Sequence, residues 1–540
     1  MKKPTRLALL LSAIFGVAYA AFGLSSPRVW NSPDETAVAF FARNFAHTGR
    51  LWSLDPYNAI ANDLVHPRSI ISVGAYLVPG SFYGNMWVTG VAYIFTGHYA
   101  LSLVTAFATA LAGYATYALV KRFMDERRAL IACVLFLAHP TVWYFSSRGM
   151  FPNVLFFDLI ILGIAAWACR PWRSLARGRG TARFETAIDD LLGAFAFSLA
   201  FTVRPVEFVW LAPLAIVVAW RSRKLLSRKR VLMPCVVFAL FLSALLVTNR
   251  SLYGSALRFG YTAGSSEPGV SIPALNTGSR LPAFISAPRP FILPFGFHPK
   301  TAVINVWHYV IVFVPWLFVL ALIGLFTYRD AVWRKRLGAA LGWVTLATGL
   351  YYGSGVFTDS IGTALTVGSS YLRYFLPITI LMVPFAAHGV DRLAAPARSY
   401  SIKLVTGITV GLLAAVVGLN AWTVLARNPE SLIPMRNTLR GYEKIKQTVL
   451  SLTDPTDVIV VERSDKVFFP ERHVIENLRD STTLDAIPKL LHLGSVYYYG
   501  ITIAADELPV LRQWLATRGL NFDKAVSFGN ESLYTITSSK

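Results

Sequence analysis

Residues 7–24 read LALLLSAIFGVAYAAFGL and follow the basic segment Met1-Lys2-Lys3-Pro4-Thr5-Arg6. An uncharged apolar run of this length can cross the hydrocarbon core of a bilayer as a helix. Cations that precede a span favour the cytoplasmic side. A signal peptide is the alternative, but the apolar run is long, no clear small-x-small cleavage site follows, and many further spans come later. We therefore expect an uncleaved first span.

The composition of the 540 residues agrees with a membrane protein. Hydrophobic residues make up 54% and charged residues 15%, whereas soluble domains average about 25% charged residues. The net charge of +22 could suggest nucleic-acid binding, but the cations form short clusters between apolar stretches, as in cytoplasmic loops. This pattern excludes a nucleic-acid partner. The three cysteines, Cys133, Cys169 and Cys235, lie in or at the ends of apolar spans and suggest neither disulfides nor a metal site.

The distribution of apolar runs predicts about eleven transmembrane helices. They lie near 7–24, 98–120, 129–146, 153–169, 190–203, 205–220, 231–249, 301–326, 337–352, 371–390 and 403–425. Counting crossings from a cytoplasmic N-terminus puts every basic loop on the same side, which supports this set of spans. These loops are 121–128, 170–183, 221–230, 329–336 and 392–403.

Three long segments then fall outside the cytoplasm: 25–97, 250–300 and the residues after about 426. Within the first, the apolar stretch 70–97 is broken by Pro79-Gly80 and Gly84. We favour interfacial or re-entrant helices there over a pair of spans, which the charge pattern alone does not exclude. The predicted organisation is a transmembrane domain over 1–425 and an extracytoplasmic domain over 426–540.

The C-terminal segment has the composition of a small soluble α/β domain. Strands are predicted at 458–461 and 496–499, and a hairpin at 522–528 and 533–537 around Gly529-Asn530-Glu531. An amphipathic helix is predicted from Asp506 to Arg518, with Gly519 as its C-cap. We find no catalytic motif in this domain.

Two acidic residues follow the first span, in Asn31-Ser32-Pro33-Asp34-Glu35. The structural interpretation is a helix start, because Ser32 and Glu35 make a Ser-x-x-Glu capping box and Pro33 suits the first helical position. Apolar residues then follow at helical spacing up to Gly49. The functional interpretation is that Asp34 or Glu35 acts as a base beside the membrane surface. The local sequence leaves both interpretations open.

Isolated arginines occur in the outer segments and at the outer ends of spans. Arg373 opens an apolar span, where an uncompensated cation is costly, although each arginine taken singly is explained by snorkelling to headgroups. Several arginines facing a carboxylate would suit transfer from a lipid phosphate, since cations stabilise a phosphate leaving group and a carboxylate can take the acceptor's proton. These arginines are Arg68, Arg148, Arg258 near Tyr261, and Arg373.

Short motifs in the same order resemble the GT-C glycosyltransferases, most closely the branch with the protein O-mannosyltransferases and the lipid A aminoarabinose transferase. The resemblance covers about 1–425. Its motifs are Ser32-Pro33-Asp34-Glu35, His66-Pro67-Arg68, Ser147-Arg148 with Asn153 five residues later, Asn249 to Gly254 with Gly260-Tyr261, and Arg373-Tyr374-Phe375-Leu376-Pro377.

This resemblance implies a GT-C fold and inverting transfer of a sugar from a polyprenyl-phosphate carrier. Asp34 would be the general base, with Glu35 assisting or structural. Phosphate binding would fall on Arg68 and on Arg373 or Arg148. The further implied substrate-binding residues are His66, Asn153, Arg258 and Tyr261, and for His66 local packing is an equal alternative.

One departure from the family pattern concerns a metal. Relatives often have an acid where this chain has Asn153, and the nearby Asp158 lies more than a helical turn further into the span. A carboxylate pair for metal binding is therefore not indicated, and the use of a divalent cation stays open.

The sequence thus predicts a multi-pass glycosyltransferase of the plasma (inner) membrane, with its active site and C-terminal domain extracytoplasmic. Its partners would be a polyprenyl-phosphate sugar, membrane lipids and a lipid, glycan or protein acceptor. The alternative is a transporter or flippase of a lipid-linked or amphipathic solute, although we find no repeat symmetry of the kind transporters show. A third hypothesis is an assembly protein in which the C-terminal domain does the work.

Overall fold

The structure is a computed structural model that describes residues 3–169, 182–222, 228–263, 293–357 and 365–539. Parts of two predicted cytoplasmic loops, 170–181 and 223–227, lie outside the described residues, as does the stretch 264–292 of the predicted outer loop 250–300.

The chain divides into two compact units. The first comprises Met1–Leu24, Ser102–Ala244 and Pro268–Pro434, and the second comprises Ser25–Leu101, Leu245–Glu267 and Met435–Lys540.

The first unit is helical. Its α-helices, wholly or for most of their length, are Lys3–Leu24, Ala100–Val120, Glu126–Leu137, Pro140–Arg148, Pro152–Cys169, Ala182–Val203, Phe208–Ser222, Arg228–Tyr253, Pro299–Val306, Pro315–Thr327, Ala331–Gly353, Ser370–Tyr374, Leu376–Ala394 and Ile402–Leu425. Short 3₁₀ turns at Pro205–Glu207 and Ala395–Ser399 and a π-helical turn at Trp307–Val312 join some of them.

Within the described residues, six helices are long and apolar enough to cross a membrane, and up to nine spans result if each of three bent helix pairs counts as one. The predicted spans 190–203 and 205–220 form one such pair, bent by 110°. Pro205 at the break lacks the N–H that a continuous helix would need there. The predicted count of eleven is therefore not confirmed, although the polytopic helical class is.

Close backbone contact holds the helix Pro315–Thr327 against the helix Leu376–Ala394. A Cβ on Gly324 would lie 1.8 Å from the carbonyl oxygen of Phe385, and one on Gly389 would lie 2.1 Å from that of Leu320. Only glycine permits this approach. Small residues serve this purpose in membrane helix packing, where dispersion contacts and not exclusion from water drive association.

The second unit mixes helices and two sheets. Its helices are Pro33–Thr48, Tyr57–Ile60, Gly84–Thr96, Gly260–Ala263, Leu432–Leu452, Asp465–Phe468, Ser481–Leu490 and Glu507–Ala516, with a 3₁₀ turn at Gly97–Tyr99. Its strands are β1 (Ser53–Leu54), β2 (Ile70–Val73), β3 (Tyr76–Pro79), β4 (Val458–Val461), β5 (His473–Glu476), β6 (Val496–Ile501), β7 (Leu520–Phe528) and β8 (Glu531–Ser538).

The stretch 70–79 differs from the expected interfacial or re-entrant helix. Strands β2 and β3 pair antiparallel, and β1 adds to β3. The connecting residues Gly74 and Ala75 have φ of 57° and 72°, as in the two-residue turns that match the twist of a hairpin. The helix expected in this region is present only from Gly84 onward.

The C-terminal residues form a five-stranded sheet in the order β5-β4-β6-β8-β7. Strands β5, β4 and β6 are parallel, whereas β8 pairs antiparallel with β6 and β7. Four predicted strands and the helix before Gly519 are confirmed, and the short strand β5 was not predicted. The order places the topological switch point between the carboxyl ends of β4 and β6.

Residues of the predicted outer loop belong to the hydrophobic core of this sheet. Tyr57, Ala61 and Val65 are buried together with Val458, Val460 and other residues of the C-terminal segment. The Tyr57 hydroxyl donates to the carbonyl oxygen of Thr456 at 2.7 Å. The outer loop and the C-terminal segment thus form one compact unit, whereas the domain boundary at 425/426 stays a prediction of the sequence.

Candidate active site

The two acids at the start of the helix Pro33–Thr48 have different surroundings. Glu35 is buried and accepts a hydrogen bond from the Ser32 backbone N–H at 2.9 Å, while the Ser32 hydroxyl accepts from the Asp34 N–H at 3.3 Å. This is the expected capping box, and it uses the carboxylate of Glu35. The helix ends at Gly49, which has a left-handed φ of 71°, as predicted.

The half-buried carboxylate of Asp34 is not part of the cap and meets a residue that sequence reasoning missed. The Ser69 hydroxyl donates to Asp34 Oδ1 at 2.8 Å. The two residues are brought together because the turn before β2 packs on the start of the helix. In the sequence, the only indication of this contact is that Ser69 directly follows His66-Pro67-Arg68.

The neighbouring Arg68 pairs with two acids of the C-terminal segment. Its Nη2 and Nε lie 2.7 and 3.2 Å from Asp465 Oδ1, and its backbone N–H donates to Asp465 Oδ2 at 2.8 Å. Glu476 Oε1 lies 2.8 Å from Nε, and the carbonyl oxygen of Arg463 accepts from Nη2 at 2.7 Å. Since Asp465 is fully buried, loss of Arg68 would leave an uncompensated buried charge, which costs more than breaking a surface ion pair.

Two more contacts lie beside the same segment. Lys466 Nζ donates to the carbonyl oxygen of Asn31 at 2.5 Å, immediately before the capping Ser32. His66 Nδ1 lies 3.2 Å from the carbonyl oxygen of Pro67. His66 therefore makes at least one local contact, which is one of its two expected roles.

Tyr83, which follows the β2–β3 hairpin, holds the segment around Asn249. Tyr83 donates to Asn249 Oδ1 at 2.7 Å, and Asn249 Nδ2 donates to the carbonyl oxygen of Ala256 at 3.0 Å. These bonds give the asparagine of the Asn249–Gly254 motif a structural role. Tyr261 packs edge-on against Phe82, and Arg258 and Tyr261 are both exposed.

Arg148 and Arg373 lie close together in the first unit. Their guanidinium carbons are 4.6 and 4.8 Å from the centre of the same ring, that of Phe151. Arg148 Nη1 donates to the Tyr144 hydroxyl at 3.0 Å, and Arg373 Nη2 donates to Ser370 Oγ at 2.8 Å. Guanidinium groups donate paired hydrogen bonds to phosphate oxygens, so two of them at one ring are chemically suited to bind a phosphate.

Further polar groups surround this arginine pair. Glu430 accepts from Thr366 Oγ1, and a Cβ placed on Gly368 would lie 2.5 Å from Glu430 Oε2 and 3.3 Å from the Tyr144 hydroxyl. Asn153 is buried, and its Nδ2 has no hydrogen-bond partner among the residues that the structure describes. An amide donor in this position could bind a substrate oxygen.

A buried network supports Tyr374, the neighbour of Arg373. Arg204 Nε lies 2.8 Å from Glu207 Oε1, so these two residues form an ion pair. The Tyr352 hydroxyl donates to Glu207 Oε1 at 2.7 Å, and its ring stacks on Tyr374 with centroids 4.5 Å apart. This network fixes one side of the arginine pair.

The predicted site residues thus fall into two groups. Asp34, Glu35, His66, Arg68, Arg258 and Tyr261 belong to the second unit, and Arg148, Asn153 and Arg373 belong to the first. In the part of the chain that the structure describes, no group of three or more His, Cys, Asp or Glu side chains could hold a metal ion.

No family model matches the sequence, and no curated protein does so either. Comparison with solved structures shows the fold alone, which resembles that of ArnT and of an archaeal oligosaccharyltransferase. This confirms the predicted fold class of a polytopic helical membrane protein with a C-terminal sheet region.

Among the similar structures is ArnT from Cupriavidus metallidurans bound to undecaprenyl phosphate, with a TM-score of 0.58, 13% identity and 97% coverage of both chains. The Archaeoglobus fulgidus oligosaccharyltransferase in the apo form has a TM-score of 0.52 and 12% identity, over 97% of this chain and 74% of that one. Its complex with Zn and sulfate has a TM-score of 0.52 and 13% identity, over 97% of this chain and 72% of that one.

Proposed function

We propose that this chain is a membrane glycosyltransferase that transfers a sugar from a polyprenyl-phosphate donor to an acceptor on the extracytoplasmic side. The observation that supports it most is the likeness to ArnT, which extends over 97% of both chains, in a structure bound to undecaprenyl phosphate. The sequence motifs that resemble the GT-C family add to this support, because they occur in order along the same chain.

Asp34 is the proposed general base. Glu35 is used by the capping box, whereas the Asp34 carboxylate faces the hydroxyl of Ser69 and is only half-buried. A carboxylate beside the membrane surface can take the proton of an acceptor hydroxyl. We therefore assign the proton transfer to Asp34 and a structural role to Glu35.

Arg148 and Arg373 are the proposed phosphate ligands. Their guanidinium carbons lie 4.6 and 4.8 Å from the centre of the Phe151 ring, and planar guanidinium groups match phosphate oxygens in pairs. Arg68 was expected to share this role, but its ion pairs with Asp465 and Glu476 favour a role in positioning. Asn153, His66, Arg258 and Tyr261 stay proposed substrate contacts.

The proposed reaction is a single displacement with inversion at the anomeric carbon. An acceptor hydroxyl oxygen forms the new bond to that carbon while the bond from the carbon to the phosphate oxygen breaks. The electron pair of the broken bond leaves with the polyprenyl phosphate, where the two arginines stabilise the charge. Asp34 takes the proton of the acceptor hydroxyl.

The first test measures release of polyprenyl phosphate from a panel of labelled polyprenyl-phosphate sugars, with binding of each donor read in the same samples. We expect release from one donor by the wild type and none by Asp34→Asn. The matched control is Asp485→Asn, because Asp485 is an exposed acid of the C-terminal sheet domain paired with Arg518. It should release the same product at the wild-type rate.

Two outcomes would contradict the proposal. Normal release by Asp34→Asn would remove Asp34 as the base. If the wild type neither binds nor turns over any of the donors, even with extracts that contain acceptors, the glycosyltransferase assignment fails. The transporter alternative then takes its place.

A further inference from the structure

The residue that contacts Asp34 has an unusual backbone. Ser69 has φ of 63°, a left-handed conformation in which a Cβ costs free energy and which turns normally assign to glycine or asparagine. The Ile70 N–H donates to the carbonyl oxygen of Pro67 at 3.3 Å, so Ser69 is the third residue of a tight turn. The 2.8 Å hydrogen bond to Asp34 explains why a serine occupies this position.

The turn is fixed from two sides. On one side, the Gly80 N–H donates to the carbonyl oxygen of Ser69 at 3.0 Å, and a Cβ on Gly80 would lie 3.0 Å from that oxygen. On the other side, Asp465 receives the backbone N–H of Arg68 as well as its guanidinium. A carboxylate that binds both the backbone and the side chain of one residue fixes its position and its orientation together.

The acid that binds Arg68 belongs to the sheet domain. Asp465 starts the short helix after β4, and Glu476 ends the neighbouring strand β5. Arg68 therefore binds at the carboxyl ends of two parallel strands, the edge at which such sheets hold ligands. Lys466, the residue after Asp465, donates to the carbonyl oxygen of Asn31, which lies just before the helix that carries Asp34.

We propose that the C-terminal sheet domain positions the general base: Asp465 holds Arg68, which fixes the turn so that the Ser69 hydroxyl orients the carboxylate of Asp34. Ser69, Arg68 and Asp465 are positioning residues, and this role rests on the proposed function of Asp34. A carboxylate can rotate about its last bond, and the hydrogen bond from Ser69 to Oδ1 restricts that rotation. Small misplacements of a reacting group cost about 100-fold in rate.

The decisive variant is Ser69→Gly, because it separates the backbone from the hydroxyl. Glycine adopts the positive φ without cost, which offsets the loss of the hydrogen bond, so the melting temperature should stay within about 2–4 °C of the wild type. The loss of the hydroxyl should lower kcat by about 10- to 100-fold, with the KM for the donor unchanged within about twofold. Ser69→Ala should lose the same activity and melt below Ser69→Gly, because alanine keeps the cost of the positive φ.

The matched control is Ser72→Ala, in strand β2, which begins directly after Ser69. Ser72 also donates to an acid, Asp63 Oδ1, at 2.6 Å. It should retain the wild-type kcat. A loss of activity in both serine variants would mean that the hairpin as a whole matters and would overturn the specific role of Ser69.

The contribution of the sheet domain is tested separately with Asp465→Asn and Arg68→Lys. Both should lower kcat by about tenfold or more without changing the donor KM. The Asp485→Asn control should not. Since Asp465 is buried, its variant could fail to fold, and the Arg68→Lys variant then decides, because Arg68 is partly exposed.

The outcomes distinguish this inference from the function on which it rests. Full kcat in Ser69→Gly, together with inactive Asp34→Asn, overturns the positioning role and leaves Asp34 as the base. Full kcat in Asp34→Asn removes both. A lowered kcat in Ser69→Gly, together with an unchanged kcat in Asp465→Asn and Arg68→Lys, would limit the positioning role to Ser69.

Discussion

Replacing Tyr57 should show that the outer segment and the sheet domain are one structural unit. Tyr57 is 8% exposed, its ring stacks on His473 at a centroid distance of 3.9 Å, and its hydroxyl donates to the carbonyl oxygen of Thr456. Burial raises the pKa of this hydroxyl, and the charges of Asp55 and Asp457 raise it further. The hydroxyl therefore stays a hydrogen-bond donor at neutral pH.

The magnitude follows from these contacts. Tyr57→Phe removes one hydrogen bond and leaves the ring in place, so it should cost about 1 kcal/mol. Tyr57→Ala also removes a buried aromatic ring and leaves a cavity, for which about 3–5 kcal/mol is usual. One kcal/mol corresponds to about 2–4 °C in the melting temperature of a unit of this size. The alanine variant should therefore melt at least 6 °C below the wild type.

The assay is thermal unfolding of the purified full chain in detergent, followed by tryptophan fluorescence and by protease sensitivity of the C-terminal residues. The control is Tyr76→Ala, because Tyr76 lies in the same outer segment but is 43% exposed. It should change the melting temperature by less than Tyr57→Phe does. Equal effects of Tyr57→Ala and Tyr76→Ala would refute the shared core.

Two further predictions concern the phosphate and the hairpin. Arg373→Lys keeps the charge but loses the planar guanidinium group, so the Kd for polyprenyl phosphate should rise about tenfold in a binding assay. The control Arg512→Lys, on the exposed surface, should leave this Kd unchanged. An unchanged Kd in Arg373→Lys would contradict its phosphate role. Burial raises the pKa of Asp63, but the hydrogen bonds from Ser72 and the turn N–H groups outweigh it, so the pKa is below its usual value. The stabilisation is thus present above about pH 4 and is lost as the pH falls through the lowered pKa. Asp63→Asn should lower the melting temperature at pH 7 and converge with the wild type in acid; a constant difference would contradict this.

The sequence predicted features that depend on local pattern. Long apolar runs and the placement of basic loops predicted a polytopic membrane protein, and the order of short motifs pointed to the GT-C fold, which structural similarity confirms. The start of the helix at Ser32 and its end at Gly49 were also predicted, because capping depends only on residues within a turn. In the C-terminal domain, short apolar runs and a turn sequence predicted four of the five strands.

The errors occurred where tertiary contacts decide the local structure. The apolar stretch 70–79 looked like a membrane-surface helix, but pairing with β1 and a turn at Gly74-Ala75 make it a hairpin. The predicted spans 190–203 and 205–220 are halves of one bent pair, and the predicted span 301–326 is itself bent by 91°. An apolar run does not reveal where a helix breaks.

The sequence by itself determined the class of the protein and the residue types of the candidate site, because hydrophobicity, charge sorting and capping act within a few residues. Only the tertiary structure decided which acid is used by the helix cap and which arginines are already paired. Asp465 lies 397 positions from Arg68, and nothing local to either residue encodes that contact. Partners this distant are selected by the packing of the whole unit, so the neutralised charge of Arg68 and the contact between Ser69 and Asp34 could be found only in the folded chain.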